Sequence, residues 1–209
     1  MSGDSDPDLL AQCDRIAGKL QQLRETDRAL SIFGADSHGY LLGPKLKERE
    51  ILIIEHRLGA PLPKEYRLFL SHVGEGGAGP FYGLFMLSVE DSEDITAPVC
   101  IRKPFRWSEA FNPYEWEDPC SQQDVWCDDA QVSGNPQIIL NVPGALYICN
   151  FGCAIRFFLV VNGPCVGEVW KDSQADETGV QPERGENGRR VGFLNWYENW
   201  LNGAIRLTT

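Results

Sequence analysis

The sequence predicts an α+β fold in a single domain, an antiparallel-rich sheet covered by helices, and three observations support it. Four segments place apolar residues at helical spacing, three of them before the glycines at 74–79 and one at the C-terminal end. Three strand-like segments, ALYICN, IRFFLVVN and VGEVWKD, follow one another with only turns between them. The order of helices, strand, excursion, sheet and closing helix lacks the regular βαβ alternation of a parallel sheet. At 209 residues the chain is long enough for one substantial core.

The first helix opens at Asp4, Ser5 or Asp6, any of which can accept from the free N–H groups of a first turn, with Pro7 inside that turn. Leu9, Cys13, Ile16, Leu20 and Leu23 then form one apolar stripe, so residues 1–30 are expected to dock on the rest as a helical extension. FGADSHGYLLGP is rich in turn residues and reads as a loop. KLKEREILIIEHRL reads as a helix that stops at Gly59. The Leu62-Pro63 step launches the next helix, with Tyr66, Phe69, Leu70 and Val73 at i, i+3, i+4 and i+7.

GEGGAG, Gly74 to Gly79, matches the G-x-G-x-x-G spacing of a dinucleotide-binding turn. That turn works only where a strand enters the glycines and a helix leaves them, because the helix N-terminus supplies the donors and positive dipole end that hold a pyrophosphate. Here a helix enters. On the far side PFYGLFML, with Phe81, Tyr82, Leu84, Phe85 and Leu87 around Gly83, reads as a strand. The order is reversed, so the glycines are expected to close a helix at positive φ and turn the chain sharply into a sheet. No nucleotide or other cofactor is expected.

Residues 88–135 carry many Asp, Pro, Ser and Trp with little periodicity and read as a long, partly ordered excursion over the surface. The excursion is acidic: Glu90, Asp91, Glu93 and Asp94, then Glu109, Glu115, Glu117, Asp118, Asp124, Asp128 and Asp129, against Arg102, Lys103 and Arg106. Such a face attracts a basic protein and raises its association rate, or simply keeps the chain in solution. The sheet follows, with turns expected near Phe151-Gly152 and at Asn162-Gly163-Pro164. IRFFLVVN has apolar residues at successive positions, so both of its faces are expected to be covered. DSQADETGVQPERGENGRR reads as a polar loop. In VGFLNWYENWLNGAI, Phe193, Trp196, Tyr197, Trp200, Leu201, Ala204 and Ile205 line one helical face, which is expected to be core.

A content of 43% hydrophobic and 11% aromatic residues describes a globular chain, with no apolar run of about 18 residues to span a bilayer. The N-terminus, MSGDSDPDLLAQCD, is acidic where a signal peptide is basic and then apolar, so a cytoplasmic location is expected. A net charge of −11 repels phosphate backbones, and no basic patch offsets it. Neither nucleic acid nor membrane is an expected partner. Seven cysteines, odd in number and without a C-x-x-C pair, are expected to be reduced thiols. Cys149 and Cys153 flank a turn, but no other Cys or His cluster at ligand spacing completes a zinc site, and no metal is expected.

The sequence has no G-x-S-x-G, H-E-x-x-H or G-x-x-x-x-G-K-[ST]. Three histidines remain, His38 in a turn, His56 on the second helix and His72 at the end of the third. Cys153 with His72 is the nucleophile pair to weigh, and nothing local activates it. No catalytic residue is expected.

The run LPKEYRLFLSHVGEGGAGPFYGLFML, Leu62 to Leu87, resembles the signature of the SUKH superfamily, in which L-P-x-x-Y-x-x-F-L leads to a glycine-rich turn and then P-x-Y-G-L. CNFGCAIRFFLVVNGPCVGEVWKD followed by FLNWYENWL resembles the hairpin, G-x-V-W-x-D and F-x-x-W-Y-x-x-W-L helix of bacterial members, and PFRWSEAFNP resembles a further segment seen there. The resemblance covers most of the chain from about residue 32 onward. It implies a SUKH-like domain over 31–209 with an acidic insertion at about 88–135, and a helix-covered sheet without catalysis. The matched positions, Leu62, Pro63, Tyr66, Phe69, Leu70, Gly74, Gly76, Gly77, Pro80, Gly83 and Trp170, are mostly fold makers.

Many bacterial members are regarded as immunity proteins that bind and neutralise a cognate toxin, often a nuclease or deaminase. The resemblance therefore implies a non-catalytic binder of a basic toxin domain, acting as a monomer or weak homodimer, whose acidic surface can mimic the phosphates of a nuclease substrate. The expected contacts are Trp107, Trp116 and Trp126 as aromatic anchors among Glu115, Glu117, Asp118, Asp128 and Asp129. Glu75 at the glycine turn, beside Phe81 and Tyr82, forms a second expected patch. The competing expectation for each tryptophan is local packing that ties the excursion down. The alternative functions are a regulatory or scaffolding role like that of the fungal cell-wall-synthesis regulators, and an enzyme with an unrecognised Cys/His site.

Overall fold

Asp6 caps the first helix, α1 (Pro7–Thr26), its carboxylate accepting from the Asp8 N–H at 3.2 Å. The computed structural model describes residues 6–88, 98–115 and 141–208. The α1 stripe of Cys13, Ile16, Leu20 and Leu23 is buried, and the helix packs on α6 (Phe193–Thr208) and α4 (Lys64–His72). A polar seam runs beside the α1–α6 contact. Gln12 Nε2 donates to Asn195 and Glu198 at 2.9 Å, and Lys19 Nζ to Glu198 and Asn202 at 2.7 Å. The segment read as an extension is thus part of the main core.

The loop that follows contains one short helix, α2 (Ala35–His38). α3 (Glu48–Leu58) stops at Gly59, whose φ of +73° suits a residue without a side chain. Pro63 is the N-cap of α4. Ile51, Ile54 and Leu58 of α3 and Tyr66, Phe69 and Leu70 of α4 join the same core, with Phe193, Tyr197 and Leu201 of α6.

Among the described residues four antiparallel strands form the sheet, in the order β1 (Ala145–Gly152), β2 (Ile155–Val160), β3 (Val169–Ser173) and β4 (Gly179–Pro182). The β1–β2 turn falls at Cys153 and Ala154, both at positive φ (51° and 60°), slightly beyond the expected Phe151-Gly152. β4 corrects the expectation of a loop over this stretch. Its signal is weak because GVQP is short and ends in a proline, which only an edge strand tolerates. Its outer side is occupied by Phe111, which exchanges N–H···O bonds of 2.9 and 2.8 Å with Val180.

Alternation along the strands makes two apolar faces, and both are covered. Phe157 and Leu159 of β2 face the helices, while Phe158 and Val160 join a second cluster with Tyr147, Trp170 and Val180. Part of the acidic excursion supplies the lid of that second face, Phe105, Trp107 and Phe111, ahead of the 3-10 turn Pro113–Glu115, while α5 (Pro98–Arg102) before them packs on α3 and β1 and gives Ile101 to the first cluster. Phe105 is fully buried, with ring centroids 4.8 Å from Trp170 and 5.8 Å from Phe158. Residues 98–115 are therefore core cover, where the sequence suggested a surface excursion.

PFYGLFML is also corrected, since it makes no strand of the sheet. A turn from Pro80 to Gly83, closed by the Gly83 N–H on the Pro80 carbonyl at 3.0 Å, takes Phe81 and Gly83 to φ of +56° and +92°. The segment meets β1 through one isolated antiparallel bridge, Leu84 to Cys149, with the Tyr82 and Phe85 N–H groups donating to the carbonyls of Asn150 (3.1 Å) and Ile148 (2.9 Å). α4 enters the glycines and irregular chain leaves them, the reverse of a dinucleotide turn. No described helix is long and apolar enough to cross a membrane.

Candidate functional site

The loop closed by Gly77 and Leu84 presents its tip beside the β1–β2 turn. Two glycines make the approach possible. At Gly34, a Cβ would sit 2.0 Å from the Phe81 carbonyl oxygen, and at Gly152 one would sit 2.9 Å from the Tyr82 ring. The result is a patch in which Phe33 meets Tyr82 edge-on at 5.3 Å and Phe151 at 5.8 Å. Phe33 is 55% exposed and Tyr82 43%. Beneath them Phe81 stacks on Phe157 at 5.2 Å, and the Lys171 ammonium lies 5.5 Å over the Phe151 ring.

Phe81 also forms one wall of an adjoining cavity of about 210 Å³, where the glycine loop, α6 and the chain beyond β4 converge. Pro80, Phe81, Trp196 and Trp200 supply apolar and aromatic walls, and Glu183 and Arg184 the charges. Burial pushes the Glu183 carboxyl above the usual range, against the pull of Lys171. Arg184 is engaged elsewhere: one guanidinium nitrogen donates to the Gly188 carbonyl at 2.9 Å and another lies 3.7 Å from Glu109.

The expected site residues separate. Tyr82 lies in the exposed patch. Glu75 does not: it is 1% exposed, its carboxylate accepts from the Ser88 N–H and hydroxyl, and it braces the chain rather than offering a surface charge. Trp107 is half-buried, stacked on Phe111 at 4.2 Å and edge-on to Phe105 at 5.4 Å, the arrangement of a packing residue. Glu115 is exposed at the end of the 3-10 turn. Trp116, Trp126, Glu117, Asp118, Asp128 and Asp129 lie outside the described residues. Glu109 pairs with Arg190 at 2.9 Å, so part of the excursion's charge is used internally.

Sequence reasoning passed over Phe33, Phe151 and Glu183. The available signal at Phe33 was a large aromatic standing in a loop of turn residues.

Cys13, Cys149 and Cys165 are buried free thiols and Cys100 is buried as well, and burial pushes the Cys149 thiol far up, which suits a packing role. Cys153 is exposed on its turn, whereas His72 Nδ1 sits 2.8 Å from Ser71 Oγ at the end of α4; no hydrogen bond joins the two among the described residues. His38 is half-buried, burial lowers its pKa, and its Nδ1 accepts from the Tyr40 N–H at 3.1 Å. No group of three His, Cys, Asp or Glu among the described residues could hold a metal ion. No protein-family model, curated protein or solved structure matches this chain.

Proposed function

We propose that this chain is a non-catalytic protein-binding domain of the SUKH type, an immunity protein that binds and neutralises a toxin domain. The observation that carries the reading is the Phe33–Tyr82–Phe151 patch. Rigid aromatic rings left in water beside a lysine are the composition of an interface anchor. Their backbone is held by glycine contacts that admit no side chain, so little freedom is lost when a partner covers them. The net charge of −11 favours a basic partner, as a nuclease with a phosphate-binding groove would be. The resemblance of Leu62 to Leu87 and of the C-terminal helix to SUKH sequences supports the immunity role over a generic binder.

Co-expression with toxin domains encoded by neighbouring genes tests the proposal. The chain should rescue growth against one of them and co-purify with it one to one. Replacing both Phe33 and Tyr82 by alanine should weaken that complex roughly 30-fold or more while leaving thermal unfolding unchanged. Failure to rescue or co-purify with any such toxin would overturn the immunity role, and capture of several housekeeping proteins through the same patch would assign the regulatory one.

A further inference from the structure

We infer that the cavity beside the aromatic patch seats the guanidinium of an arginine side chain presented by the partner protein. The inference rests on the protein-binding reading and adds the chemistry of one contact.

Four features lead to it. Glu183 is held in place through its backbone, donating to the Val169 carbonyl at 2.9 Å and accepting from the Val191 N–H at 3.3 Å, while burial and the charge of Lys171, with no hydrogen bond among the described residues, act on its carboxylate. A carboxylate partly withdrawn from water without a protein partner is less well solvated than a free one, and an incoming cation offsets that loss. The resident cations do not fill the role. Arg184 is tied to Gly188 and Glu109, and Lys171, the charge that acts on Glu183, lies over the Phe151 ring.

The walls suit a planar cation. Trp196 and Trp200 come from α6 and Phe81 from the glycine loop, and a guanidinium stacks on aromatic faces while its fork engages a carboxylate. The size fits a side chain. At about 210 Å³ the cavity is below the roughly 300–1,000 Å³ of sites that take drug-sized ligands and cofactors. The surrounding charge agrees, because a chain of net −11 draws arginine-rich surfaces toward it.

The test follows the Trp196 and Trp200 indole N–H resonances of the ¹⁵N-labelled full chain, assigned with W196F and W200F. Two probes are titrated, N-acetyl-L-argininamide and its neutral isostere N-acetyl-L-citrullinamide. The arginine probe should shift both indoles saturably in the millimolar range, with the citrulline probe at least roughly tenfold weaker. In E183Q the arginine probe should fall to the citrulline level while the rest of the spectrum is unchanged. If E183Q does not fold, the comparison of the two probes on the native chain decides. No shift with arginine, equal binding of citrulline, or native affinity in E183Q would overturn the inference. Partner capture without arginine binding leaves the protein-binding reading standing and ends this one; arginine binding by a chain that captures no protein does the reverse.

Discussion

At Asp27 one carboxylate, 4% exposed, organises the chain after α1. Its Oδ1 accepts from the Ser31 N–H and hydroxyl at 2.8 and 2.7 Å, and its Oδ2 from the Ile32 N–H at 3.2 Å and the Tyr40 hydroxyl at 2.5 Å. Burial alone would raise its pKa, but the hydrogen bonds from Tyr40, Ser31 and Ile32 outweigh it and hold the group at about 2. The folded value lies below the unfolded one of about 3.9, so this stabilisation is full above that pH and is lost as pH falls toward about 2. Asp27→Asn is expected to cost about 1–3 kcal/mol at neutral pH. The gap between variant and native chain should narrow below about pH 4, as read by urea unfolding across a pH series. Single residues were the least legible scale. Tyr82 could be singled out because it follows a glycine turn, but Glu75 looked like a surface charge until Ser88, thirteen positions away, satisfied it.

Elements were more legible, because periodicity and caps are local. The stripes of α1, α3, α4 and α6 and the stop at Gly59 lie where 3.6-residue spacing and glycine put them. The two misread segments are those whose conformation depends on a neighbour. PFYGLFML has the composition of a strand, but its turn at Pro80–Gly83 limits its pairing with β1 to an isolated bridge at Leu84. GVQP has the composition of a loop and becomes β4 because β3 on one side and Phe111 on the other supply partners. The glycine turn itself makes a sharp prediction. Gly77 has φ of +76°, and a Cβ there would lie 2.3 Å from the Leu41 carbonyl oxygen. Gly77→Ala should therefore destabilise the chain by at least about 2 kcal/mol, lowering the melting temperature by roughly 4–8 °C for a chain of this size. An unchanged melting temperature would contradict this packing of the glycine loop.

At the scale of the whole molecule, the sheet lies between a helical layer and the cover formed by Phe105, Trp107 and Phe111, and charge governs how it meets others. Under the proposed function, association with a basic toxin domain should slow roughly tenfold or more as salt rises from about 0.05 to about 0.5 M, while dissociation changes little. Stopped-flow mixing measures both rates, and a salt-independent on-rate would count against charge steering. The sequence by itself determined the fold class, the four principal helices, three of the strands and the reversed order around the glycines, because each follows from spacing within a dozen residues. Only the tertiary structure decided that Phe105, Trp107 and Phe111 close the second face of the sheet, that Trp107 stacks inward while Phe33 stays in water, and that Phe81, Glu183 and Trp196 share one cavity. Those residues are brought together by sheet pairing and by closure of two apolar faces, and burial of that kind is a property of the assembled layers that no single segment carries.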